Sequence, residues 1–179
     1  VSRKLARRFR SWDDDGNGII EQIDFVRRAR RLAVALGFVV GSPEHQVIHE
    51  NFVRQWDALA GVADADKDGQ VTEAEYLEAF AKLIAERPEA FDELYAPILR
   101  LTMRLADADA DGELNEAEWL NWFTAYMGQQ AEQAQRTFQL LDANGDGKVT
   151  ADEVMAAVRE FYLGDNPDAD ANLLLGPIS

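Results

Sequence analysis

Acidic residues in this chain gather in four bursts, beginning at Asp13, Asp64, Asp107 and Asp142. Aligned as windows 13–24, 64–75, 107–118 and 142–153, they place Asp or Asn at the first, third and fifth positions. Those residues are Asp13, Asp15 and Asn17; Asp64, Asp66 and Asp68; Asp107, Asp109 and Asp111; and Asp142, Asn144 and Asp146. Glycine follows at the sixth position, a branched aliphatic at the eighth (Ile20, Val71, Leu114, Val149), and an acid at the twelfth (Asp24, Glu75, Glu118, Glu153). Oxygen donors at this spacing can surround a hard cation such as Ca²⁺, which takes about 6–8 oxygens at roughly 2.3–2.6 Å. The sixth-position glycine permits the sharp reversal, because it enters positive φ without a Cβ penalty. The seventh residue offers only its carbonyl, so Ile19, Gln70, Glu113 and Lys148 are free to differ in side chain. The twelfth residue brings a carboxylate from the start of the next helix, and a Glu there can bind with both oxygens.

A single window of this kind could be an acidic surface turn, since Asp, Asn and Gly favour turns unaided. Four windows with the same residue classes in register point to metal, with up to four Ca²⁺ ions. The first window departs at its end, where Asp24 replaces Glu. Its shorter side chain reaches an ion less readily with both oxygens, which pushes the site toward the six-fold coordination of Mg²⁺. The first loop is therefore expected to be a mixed Ca²⁺/Mg²⁺ site or the weakest Ca²⁺ site, with Glu21 compensating directly or through water.

Helical periodicity flanks every window and supplies the frame. Leu5, Phe9 and Trp12 precede the first loop, and Phe25, Ala29 and Leu32 follow it. Phe52, Trp56 and Leu59 lead into the second, with Tyr76, Phe80 and Leu83 after it. Ile98, Leu101 and Leu105 enter the third, and Trp119, Trp122, Phe123 and Tyr126 leave it; Phe138 and Leu141 enter the fourth, and Val154, Val158 and Phe161 exit it. The aromatics read as core. Gly37, Gly41-Ser42-Pro43, Pro88, Gly128 and Gly164 separate the units, and Pro97 is expected to start or kink its helix. The windows begin 51, 43 and 35 residues apart, so the first two hands need longer helices. The expected fold is all-α: four helix–loop–helix hands in two packed pairs, eight main helices, and short ribbons joining loops through their eighth-position aliphatics. The expected units are residues 1–87, 88–163 and a tail 164–179, whose apolar stretch 173–178 folds back over the core.

These loops resemble EF-hand loops. The uneven spacing, the Phe9-Arg10-Ser11-Trp12-Asp13 approach to the first loop and Asp24 at its end resemble the sarcoplasmic calcium-binding proteins and their bacterial calerythrin-like relatives. The resemblance covers nearly the whole chain and implies a compact globule with calcium-buffering or transport activity. Members of that group commonly carry degenerate hands, whereas all four loops here keep their ligands.

Composition narrows the remaining classes. The 179 residues carry 33 acidic and 18 basic side chains, a net charge of −15, which argues against nucleic acid as a partner. No cysteine is present, which excludes thiol catalysis and cysteine zinc sites. No apolar run approaches the roughly 18 residues of a membrane span, and a cytoplasmic monomer is expected. His45 and His49 share a helix face but lack a third ligand and a His-Glu-x-x-His motif. No nucleophile–base pair is recognisable, so no enzyme is expected, and two histidines on one segment do not resemble a photoprotein cavity.

Two roles remain for the calcium. A sensor opens a flexible, Met-rich groove for a target protein, and this chain has three methionines against seventeen aromatics. A buffer is the expected role, with a sensor as the alternative. For the sensor alternative, a basic stripe, Arg3, Lys4, Arg7, Arg8 and Arg10 with Arg27, Arg28, Arg30 and Arg31, could hold an acidic partner or membrane surface. A solvated face offsetting the acidic loops is the favoured reading of that stripe.

Overall fold

The computed structural model describes residues 2–87, 89–142 and 144–163; the tail expected to fold back lies outside them. Helices enter and leave each acidic window: α1 (Ser2–Trp12) and α2 (Gln22–Ala35), α3 (Pro43–Ala63) and α4 (Glu73–Glu86), α5 (Ala90–Ala106) and α6 (Glu116–Met127), α7 (Ala131–Leu141) and α8 (Ala151–Leu163). At 21 residues α3 is the longest described, which accommodates the wide interval between the first two loops. Its start follows from local chemistry. Pro43 occupies the first turn, where a missing N–H costs nothing, and Ser42 Oγ accepts from the His45 N–H at 3.2 Å. Helix α6 stops at Gly128, whose φ of 67° is the left-handed conformation that closes helix ends. Pro97 does not start α5; it lies inside it.

Two short antiparallel ribbons tie the loops in pairs. Strands β1 (Ile19–Glu21) and β2 (Gln70–Thr72) pair with Ile20 opposite Val71, and β3 (Leu114–Asn115) and β4 (Lys148–Val149) pair with Leu114 opposite Val149. These four aliphatics are buried, so each ribbon is anchored to the core at its eighth-position residues.

One continuous core runs through both loop pairs. Helix α2 packs on α3 and on α6, α1 on α4, and α3 on α5. Trp12 stacks on Phe25 at 4.9 Å between centroids, Phe52 meets Tyr126 at 5.9 Å, and Trp122 stacks on Tyr126 at 5.0 Å. The aromatics spaced at helical intervals are therefore core, as expected. Polar links cross between the halves as well: Asn121 Nδ2 donates to the Ala35 carbonyl at 2.9 Å, and Arg31 Nε to the Ala125 carbonyl at 2.9 Å. No described helix is long and apolar enough to cross a membrane.

Candidate metal centres

The same hydrogen-bond scaffold recurs in all four loops. The first-position carboxylate accepts from the sixth-position glycine N–H: Gly18 to Asp13 at 2.8 Å, Gly69 to Asp64 at 3.1 Å, Gly112 to Asp107 at 2.8 Å and Gly147 to Asp142 at 3.0 Å. The third-position oxygen accepts from the fifth N–H, at 3.2 Å for Asp15, 3.3 Å for Asp66, 3.2 Å for Asp109 and 2.9 Å for Asn144. The fifth-position oxygen accepts from the seventh N–H, at 2.8 Å for Asn17 and Asp68 and 2.9 Å for Asp111 and Asp146. Each acidic side chain is thus turned inward by the loop's own amides. That pre-orders the oxygens at the cost of crowding negative charge.

The twelfth residue closes the loop and starts the next helix at once. Glu75 Oε2 accepts from the Thr72 N–H at 2.9 Å while Thr72 Oγ1 accepts from the Glu75 N–H at 3.3 Å, a reciprocal cap on α4. Asn115 with Glu118 and Thr150 with Glu153 repeat it on α6 and α8. The other oxygen reaches back to the second-position amide, from Ala65 to Glu75 at 3.4 Å and from Ala108 to Glu118 at 2.9 Å. Asp24 spans the same two points, accepting from Glu21 at 2.8 Å and Asp14 at 3.2 Å. Being shorter it sits deeper, 1% exposed, and burial pushes its carboxyl above the usual range.

In three of the four loops the first-, third- and twelfth-position acids converge. Oxygens of Asp13, Asp15 and Asp24 lie within 4.8 Å of one another, as do those of Asp64, Asp66 and Glu75, and those of Asp107, Asp109 and Glu118. The fourth loop carries the amide oxygen of Asn144 where the others have a third-position carboxylate. Ile19, Gln70 and Lys148 sit in ribbon strands and Glu113 immediately precedes β3, so the seventh residues lie where each loop turns into its ribbon. Oxygen-only donor sets of this kind fit a hard divalent cation and offer nothing to a soft one.

Three features of the loops go beyond the sequence reading. The fourth position is left-handed throughout: φ is 72° at Gly16 and Gly145, 62° at Lys67 and 58° at Ala110. Glycine at two of the four places was the available signal. Two loops also hold a cation. Arg27 Nη1 lies 2.5 Å from Asp15 Oδ2, and the Lys148 ammonium crosses its ribbon to Asp111, with Glu113 Oε2 3.6 Å away. Each cation holds its carboxylate below the usual range, chiefly through that hydrogen bond. Arg31, finally, joins Asp14 of the first loop, at 2.8 Å, to the Ala125 carbonyl of α6.

Part of the basic stripe is taken up within the fold. Arg28 is 2% exposed, lies over the Trp12 ring at 4.6 Å and 3.7 Å from Asp14, and donates to the Ser11 carbonyl. Arg8 is buried, and Arg27 and Arg31 are engaged by loop carboxylates. Arg27, Arg28 and Arg31 thus offset charge on the first loop, whereas Arg3, Arg10 and Arg30 of the same stripe are exposed. His45 and His49 stack at 6.2 Å, with His45 Nδ1 accepting from the Gly41 N–H at 3.2 Å.

The EF-hand domain family matches residues 133–164, which contain the fourth loop. Calerythrin of Saccharopolyspora erythraea is 37% identical over 165 residues, spanning 92% of this chain and 93% of its own. The chain belongs to the calerythrin family. It is a calcium-binding EF-hand protein. A solved calcium-binding protein of Streptomyces coelicolor, described in terms of prokaryotic calcium-mediated regulation, shares this calerythrin-type fold with a TM-score of 0.80. It is 31% identical and covers 92% of this chain and 98% of its own. The coelenterazine-binding protein of Renilla muelleri, at 22% identity and a TM-score of 0.74, covers 98% of this chain and 94% of its own and shares the fold alone.

Proposed function

We propose that this calerythrin-family chain is a monomeric cytoplasmic calcium buffer with four binding loops, the first shared with Mg²⁺. The proposed donors are Asp13, Asp15, Asn17, Ile19 and Asp24; Asp64, Asp66, Asp68, Gln70 and Glu75; Asp107, Asp109, Asp111, Glu113 and Glu118; and Asp142, Asn144, Asp146, Lys148 and Glu153. Ile19, Gln70, Glu113 and Lys148 act through their carbonyls. Bound Ca²⁺ supplies only charge, taking the formal −15 to −7 at four ions. The chain's residues do the rest: their amides hold the carboxylates inward, and the capped exiting helices carry the twelfth-position acid. No catalytic step belongs to this reading.

The observation that carries it is the destination of the apolar faces. Met103, Met127 and Met155 are buried in one core with aromatics from all four hands, and among the described residues the exposed large apolar side chains are Ile23 and five valines. A sensor must separate such faces to offer a groove, and here the faces are joined across both loop pairs by rigid rings. The sensor reading draws support from the Streptomyces relative's description in terms of regulation.

A Ca²⁺ titration against an apolar-surface dye, in millimolar-order Mg²⁺ with tryptophan emission followed in the same sample, separates the two. Tryptophan saturation with a flat or falling dye signal is the expected result. A dye signal climbing with occupancy would establish the sensor instead.

A further inference from the structure

Arg8 is a buried cation that the calcium chemistry does not use. Its residue is 7% exposed, with the guanidinium 4.2 Å from the Trp12 ring and 5.1 Å from the Tyr95 ring. Nη1 reaches only the Met127 sulfur, at 3.9 Å, and Nε has no hydrogen-bond partner. Among the described residues no carboxylate stands at ion-pair distance from it. Arg28 lies over the same Trp12 ring, which adds positive charge to this part of the core. Rings relieve a guanidinium partly. They do not neutralise it, and a buried charge without a counter-charge is among the costliest features a core can retain.

What lies beside Arg8 indicates what the charge is for. Its side chain lines a partly open pocket of about 40 Å³ bounded by Leu99, Trp122, Tyr126 and Val158. Trp122 Nε1 is a second buried donor on that cavity without an acceptor. Two donors therefore border one small space in which no described residue supplies a counter-charge. Water could accept from either but could not balance the charge. At about 10–15 Å³ for each water-sized group, the space holds roughly three to four such groups, the size of the smallest carboxylates. The apolar remainder of the wall disfavours a multiply charged or strongly hydrated anion.

We propose that this cavity is a binding site for a small planar monoanion, a carboxylate of acetate size. Its oxygens accept from the Arg8 guanidinium and the Trp122 indole N–H, and its methyl group meets Leu99 and Val158. The site is separate from the calcium loops and stands whether the chain buffers or senses calcium.

Sodium acetate titrated into the full-length, Ca²⁺-loaded protein tests this, with chloride holding ionic strength constant and acetamide as the neutral isostere. Tryptophan emission and the Arg8 Nε–H resonance are the readouts. Acetate is expected to move both saturably and acetamide neither. Arg8→Met should weaken acetate binding at least about tenfold, and because it replaces an unpaired buried charge by a side chain of similar length, it should melt no lower than the parent. Trp122→Phe removes one donor only and should weaken binding severalfold, so the site stays testable if Arg8→Met folds poorly. Equal responses to acetate and acetamide, no saturable response to acetate, or parent-like binding in both variants would overturn the proposal.

Discussion

The first and third loops have the same scaffold but dispose of their negative charge differently. In the first, the counter-charges come from the loop's own exiting helix: Arg27 on Asp15, and Arg31 and Arg28 near Asp14. Its twelfth residue is short and buried. In the third, the twelfth residue is a half-buried Glu118, and the counter-charge is Lys148 of the fourth loop, reaching across the ribbon. The first loop is thus neutralised within its own hand and fastened to the core. The third is neutralised by its neighbour, so an ion entering it displaces a residue that belongs to the fourth site. Calcium-free charge balance is a local matter in one and a shared matter in the other.

Removing metal should produce the largest effect and should strike both loops. Crowded carboxylates repel when no ion is present, and each site held at 100 times its Kd adds about 2.7 kcal/mol of stability. At about 2–4 °C per kcal/mol for a chain of this size, two occupied sites should raise Tm by about 10–20 °C over the chelator-treated protein. Calorimetric scans in chelator and in Ca²⁺ measure it, and coincident transitions would mean that the loops are not the seat of the charge strain described here.

Next in size is an exchange of the twelfth residues. Glu118→Asp should lower Ca²⁺ affinity at the third loop by about tenfold while sparing Mg²⁺, because one carboxylate oxygen is withdrawn from the ion. Asp24→Glu should shift the first loop toward Ca²⁺, though by less, since the added methylene enters a place where Asp24 is already 1% exposed. Calorimetric titration with each metal decides, and an unchanged Ca²⁺/Mg²⁺ preference in both variants would remove chain length as the cause.

How far the sequence foretold this molecule depends on whether a feature is local. The eighth-position aliphatics announced both ribbons, because a buried residue opposite a buried residue fixes register. The helical spacing of Phe9, Trp12 and Phe25 marked the core, and all three are buried. Arg8 and Arg28 misled, since cations at helical spacing on a polar helix ordinarily face water, and only the three-dimensional neighbourhood of Trp12 shows them beneath the surface. Lys148 was read solely as a carbonyl donor. Its reach to Asp111 exists only once the pairing of Asn115 with Lys148 sets the ribbon. Pro97, a local signal for a helix start or a kink, lies inside α5 beside the buried Tyr95, Ile98 and Leu99.

A smaller effect tests that shared balance. Lys148→Met should raise Ca²⁺ affinity at the third loop by about two- to five-fold, because the ion no longer competes with an ammonium for Asp111, and the gain should shrink at high salt. Arg27→Met should act on the first loop alone. Site-resolved titration by NMR distinguishes them; if Lys148→Met leaves the third loop unchanged, the cross-ribbon contact plays no part in its affinity.

The smallest expected effect concerns the fourth position, where the loops differ in residue but not in shape. A side chain in the left-handed region costs about 1–2 kcal/mol, and glycine avoids this at an entropic cost of roughly 0.5–1 kcal/mol. Ala110→Gly should therefore stabilise the calcium-free protein by about 0.5 kcal/mol, and Gly145→Ala should destabilise it by a similar amount. A Cβ at Gly145 would meet nothing within 4 Å, so backbone conformation is the cause isolated by that substitution. Urea unfolding in chelator, with unchanged m-values, measures both. Opposite signs of similar size would show that the third and fourth loops share one backbone strain and differ only in whether the sequence relieves it.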